Sequence, residues 1–172
     1  RLFARQQLAR LLLAADQPAL AERIWQEVFT VRLRKWPADS PVVLAARYNI
    51  LEARCRRSSW DEVRSAFEEL LAQEQRALGV DFSVTIATRH EIAIQVGLHG
   101  DWHAAEELLH AVAADAGRVY GDSSVITLAA RHNHVAALRL VERAAEADNE
   151  ARRLREQSRQ SVGDDHVFTT GH

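Results

Sequence analysis

At 172 residues, 47% apolar and 27% charged, the chain has the length of one ordinary domain and the balance of a soluble folded protein. Its net charge of −2 argues against whole-surface attraction to nucleic acid. No apolar run approaches the ~20 residues that cross a bilayer, and the single cysteine, Cys55, excludes an internal disulfide and suits a reducing, cytoplasmic compartment. Three prolines and seven glycines leave little room for a many-turned β protein, whereas the abundant Ala, Leu, Arg and Glu are good helix formers. The chain opens inside a helical pattern at Arg1 without an initiating Met, as expected of a piece cut from a longer polypeptide.

A period of 42 residues organises the whole text. Gly79, Gly121 and Gly163 keep it, as do Thr85, Thr127 and Thr169, and Arg5, Arg47, Arg89 and Arg131. Trp60 matches Trp102, and Ala21, Ala105 and Ala147 share a column that Val63 interrupts. Such self-similarity marks a solenoid, in which each unit buries its apolar face only against its neighbours. The units are about 1–35, 36–77, 78–119 and 120–161, with 162–172 opening a fifth.

In chain order, unit one reads as two helices that turn at Asp16-Gln17-Pro18 and stop before Trp36-Pro37. Unit two begins at Asp39-Ser40-Pro41, where Ser40 is placed to cap the free N–H groups and Pro41 suits the first turn. Its first helix is expected to run to about Arg57. Ser59 with Glu62 forms a capping box for the second, which Gly79 terminates. Unit three turns at Gly100-Asp101 and ends at Gly121; unit four lacks that turn signal at Leu140-Val141-Glu142-Arg143. Apolar residues recur at three and four positions (Leu8, Leu11 and Leu12; Val63, Phe67, Leu70 and Leu71; Leu108, Leu109, Val112 and Ala113), and no segment alternates with period two. The expected fold is all-α.

The string Leu78-Gly79-Val80-Asp81 followed by Thr85 to Ala93 resembles a tetratricopeptide repeat, in the long form of kinesin light chains and of many actinobacterial regulatory proteins. Tyr120-Gly121-Asp122, Thr127 to Asn133, and Gly100-Asp101-Trp102 followed by Ala105-Glu106 repeat the pattern. Unit two departs from it at Trp36-Pro37 and Ser59-Trp60, and His134 stands in the column of Leu8, Ile50 and Ile92. The resemblance covers essentially the whole chain. It implies a single right-handed α-solenoid domain over 1–172, of four helix pairs and a truncated fifth, whose first helices line a concave groove for a peptide or a partner's helix. It also implies a non-catalytic module of a larger regulatory protein.

Charge is sorted between the two helices of each unit. The windows 1–14, 40–57, 82–98 and 123–140 hold ten basic residues against Glu52 and Glu91 alone, whereas the second-helix windows hold twelve basic and seventeen acidic residues. A one-sign cleft steers ligands of the other sign, so an acidic or C-terminal peptide is the expected occupant. The invariant column Arg5, Arg47, Arg89 and Arg131 is read as structural, pairing with second-helix acids. The adjacent column of Gln6, Tyr48, His90 and His132 varies between units and suits specificity. With Arg10, Glu52 and Ile94 one turn on, and Asn49, Glu91 and Asn133 beside them, it forms the expected partner site. The alternative is self-association through the end faces of the repeat array.

No cofactor or metal is expected. His103, Glu106 and His110 share a helix face, but Asp61, Arg64 and Glu68 replace them one period earlier, so the trio reads as a solvated face. His132 and His134 lie two apart and point to different sides. Cys55 carries no signature of a cysteine enzyme, and the glycines read as helix caps rather than a phosphate loop. Arg54, Arg56 and Arg57 read as cations favoured at a helix C-terminus.

Overall fold

The computed structural model describes residues 2–162, and every described element is an α-helix. In chain order these are α1 Leu2–Ala14, α2 Pro18–Leu33, α3 Pro41–Cys55, α4 Trp60–Leu78, α5 Ser83–Leu98, α6 Trp102–Tyr120, α7 Val125–Leu140 and α8 Ala144–Val162. They follow one another as four consecutive helix pairs. Gly163, Thr169 and the opening of a fifth unit lie outside the described residues. The described residues fall into two compact units that divide between Thr88 and Arg89, within α5.

Within the first unit, α1, α2 and α3 share a cluster of Ala9, Trp25, Val28, Ala46 and Ile50, flanked by Leu13, Ala21 and Ala53. Phe67 of α4 is fully buried, with Trp60 at 5.8 Å and Tyr48 of α3 edge-on at 6.5 Å. Within the second unit, Ala93, Leu109 and Ala137 join α5, α6 and α7, and Val135, Leu138, Ala147 and Ala151 join α7 to α8. The small-residue column is buried throughout: Ala21, Ala105 and Ala147 are fully covered and Val63 nearly so. A side chain of one carbon there lets paired helix backbones approach closely.

Turns reuse one register. Asp16 (φ 55°), Gly100 (φ 106°) and Glu142 (φ 62°) stand at multiples of the same period, so the mid-unit turn of unit four forms without the glycine that signals it in unit three. Gly79 (φ 88°) and Gly121 (φ 81°) close α4 and α6 with positive φ, but with extended ψ of 166° and 157° rather than the left-handed helical value.

Several local expectations are corrected. The Ser40 hydroxyl donates to Pro37 O at 2.7 Å and caps nothing, and Ser59 makes no side-chain cap. Side-chain caps form elsewhere: Asp101 Oδ1 accepts from Ala104 N (3.0 Å) and Ser124 Oγ accepts from Thr127 N (3.1 Å). The first helix of unit two ends at Cys55, two residues short of Arg57. Gly97 and Gly117 are not caps at all. A Cβ at Gly97 would sit within 2.5 Å of the Trp102 ring, and one at Gly117 would meet Arg131 and Asp122. Arg54 and Arg57 do more than favour a helix dipole: their guanidinium groups grip the buried Glu22 of α2, at 2.8 Å on each carboxylate oxygen.

Candidate interaction surface

The repeated arginines belong to the scaffold. Arg47 donates to Gln73, Arg89 to Asp115 and Arg131 to Gln157, each at 2.7–2.8 Å and each across 26 residues from a first helix to its paired second helix. Arg5 and Arg47 also face Glu27 and Glu69, both 22 positions on, at 3.6 and 3.5 Å, while Arg131 pairs with Asp122. The Arg89 guanidinium, with Arg118 beside it, holds the Asp115 carboxyl below the usual carboxylate range. Arg139 faces Asp148 at 3.7 Å. Much of the basic excess of the first helices therefore meets acids of the same molecule.

The variable columns lie beside this ladder. In the first unit, Arg10 is exposed on α1, while Tyr48, Asn49 and Glu52 are half-buried on α3. Tyr48 rests one ring edge on Phe67, and Asn49 donates to Ala45 O. In the second unit, Asn133 of α7 and Nε2 of His90 of α5 stand 2.9 Å apart, joining equivalent faces of two successive first helices. Burial pushes the His90 imidazole below its ordinary pKa, favouring the neutral ring, whose Nε2 can accept from the Asn133 amide N–H. Glu91 accepts from Gln95 at 2.9 Å, Ile94 packs against the Ala93–Leu109–Ala137 cluster, and His132 is exposed beside Asn133. Thus His90 and Asn133 are brought together directly, with His132 adjacent. Tyr48 and Ile94 are partly committed to the core.

Sequence reasoning missed a second constellation. His134, in a column otherwise apolar, is buried on α7. Its Nε2 lies 2.8 Å from Oε1 of Glu106 on α6, and its Nδ1 lies 3.2 Å from Oε2 of Glu150 on α8, short of a well-aligned bond. Burial opposes charge on this ring, but the two carboxylates outweigh it and raise its pKa. In return, His134 depresses the Glu150 carboxyl. Arg143 bridges Glu106 (2.9 Å) and Glu146 (2.7 Å). The His110 ring lies 5.0 Å from that of His134, tilted by 59°, and with Glu150, Asp122, Arg131 and Arg153 it lines a cavity of about 400 Å³. The signal available was the polar residue in an apolar column, because a buried imidazole requires partners.

No known protein family and no curated protein matches the chain. Its fold, by contrast, is similar to the crystal structure of a Podosopora anserina protein described as a kinesin light chain with nearly identical TPR-like repeats. The TM-score is 0.73 at 20% identity, over 98% of this chain and 80% of that one. The Q17M variant of that protein matches equally. Among the described residues, no helix is long and apolar enough to cross a membrane. The chain is an all-α protein of eight described helices, packed sequentially in pairs as in TPR-like repeats.

Proposed function

We propose that the chain is a non-enzymatic protein–protein interaction module, part of a larger regulatory polypeptide, that holds a peptide or a partner's helix on the faces of its first helices. The observation that carries this reading is the separation of duties between columns. The invariant arginines are engaged in helix-to-helix pairing, whereas the neighbouring, variable column offers half-exposed hydrogen-bonding groups. In the second unit those groups are His90, Glu91, His132 and Asn133, with Ile94 below them. In the first unit they are Tyr48, Asn49, Glu52 and Arg10. Polar groups fixed by a rigid helix recognise main-chain amides and carboxylates at little conformational cost. The donors among them, Arg10, Tyr48, Asn49, His90, His132 and Asn133, suit an acidic or C-terminal segment.

Panning a library of random and C-terminal peptides on the protein tests the reading. Peptides selected by the wild type should lose affinity for His132→Glu and for Asn133→Ala while the melting temperature of His132→Glu stays near that of the wild type. Peptides held equally by all three proteins would remove this surface from consideration.

A second reading, self-association, is favoured by α1, which exposes Phe3 (71%), Leu11 (67%) and Leu8 (49%). If that face pairs two copies, sedimentation should show a concentration-dependent dimer that Phe3→Glu with Leu11→Glu abolishes. A wild type that stays monomeric at high concentration refutes it.

A further inference from the structure

Sequence spacing groups His103, Glu106 and His110 on one helix face; the fold leaves His103 exposed and brings in His134 from α7 instead. One donor atom from each of Glu106, His110 and His134 falls within 4.8 Å of the others. Small side-chain rotations bring that spread to the edge of about 3.3 Å demanded by tetrahedral coordination with bonds of about 2 Å. The supporting groups are already in place. Arg143 holds Oε2 of Glu106 at 2.9 Å, which leaves Oε1 as the donor. Nδ1 of His134 faces Glu150 at 3.2 Å, which leaves Nε2 as the ligating nitrogen. A carboxylate behind a ligating imidazole fixes its tautomer and orientation. His110 is exposed and lines the cavity of about 400 Å³, so an ion and its water reach the cluster from the His110 side.

We propose that Glu106, His110 and His134 form a binding site for one Zn²⁺-class divalent ion, with two imidazole nitrogens and one carboxylate oxygen from the protein and water completing a tetrahedron. Two nitrogen donors select a borderline transition metal over Mg²⁺ or Ca²⁺, which take oxygen ligands. Binding exchanges the His134–Glu106 hydrogen bond for two coordinate bonds and pins α6 to α7. The inference does not depend on the peptide-binding reading.

Chelator-stripped protein is titrated calorimetrically with Zn²⁺ alone, and with Co²⁺ for its visible absorption. The expected results are one ion per chain, a Zn²⁺-dependent rise in melting temperature, and cobalt bands of tetrahedral type. His110→Ala, at an exposed position, should fold as the wild type does and bind at least about tenfold more weakly. His103→Ala should bind as the wild type does. No saturable uptake by the wild type, uptake unchanged in His110→Ala, or uptake lost in His103→Ala each overturns the site.

Discussion

Glu74 has no exposed surface, and neither carboxyl oxygen makes a well-formed hydrogen bond. Burial raises its pKa from 4.5 to about 7, against the opposing pull of the Thr88 hydroxyl and the Arg47 charge. A carboxyl that holds its proton more tightly when folded than when unfolded stabilises the fold below the unfolded pKa. That contribution fades as pH rises from about 4.5 to about 7, and the gap amounts to roughly 3 kcal/mol. Glu74→Gln removes the titration while keeping the shape. Urea midpoints at pH 5 and pH 8 should therefore show the variant gaining on the wild type at the higher pH. A wild-type-to-variant difference that is the same at both would mean that Glu74 ionises without penalty. Nothing local foretold this residue: in sequence it is one more acid on an acidic helix, and only the approach of Thr88 from α5 accompanies its sealing.

At the scale of helices, what matters is how close two axes come and what ties them. Ala105 has no exposed surface, whereas His103, two residues earlier, is exposed. Ala105→Leu should cost about 1–3 kcal/mol by overpacking, against under about 0.5 for His103→Ala. Equal thermal stability of the two variants would place Ala105 off the contact. The arginine ladder ties first helix to second in the same way. Arg89→Glu sets a new anion against Asp115 in a half-buried pair and should lower stability by about 1–2 kcal/mol, between the values for exposed and buried pairs. His132→Glu, at an exposed site, should leave the denaturation midpoint nearly unchanged; a ranking in the other order would reverse the roles given to the two columns. The ladder was legible in sequence because contacts that recur in each unit need the same residue in each. The grip of Arg54 and Arg57 on Glu22 occurs once and left no periodic trace.

For the molecule as a whole, the near-neutral total of −2 describes the chain better than the basic excess of its first helices does. Arg47, Arg89 and Arg131 reach side chains of second helices or turns, and Arg54 and Arg57 reach Glu22. Affinity for an acidic peptide should therefore fall only modestly between about 50 and 150 mM salt, as screening shortens from about 14 to about 8 Å. Fluorescence anisotropy of a labelled peptide selected by panning reads this directly. A steep, many-charge salt dependence would mean that the arginines leave their partners to meet the ligand.

The sequence by itself determined the all-α class, the 42-residue unit and the positions of the eight described helices to within a few residues. Those features rest on contiguous residues, through hydrogen bonds within each helix and turn chemistry, and on stacking contacts that repeat with the unit. Even there the hydroxyls of Ser40 and Ser59 were misjudged, since a short polar side chain has competing local acceptors and Ser40 turned to Pro37. Tertiary structure alone decided that His134 meets Glu106 and Glu150, that Gly97 makes room for Trp102, and that Glu74 loses its water. Such pairings depend on the angle and separation of packed helices. A shift of an ångström makes or breaks each one, and no spacing along the chain records it.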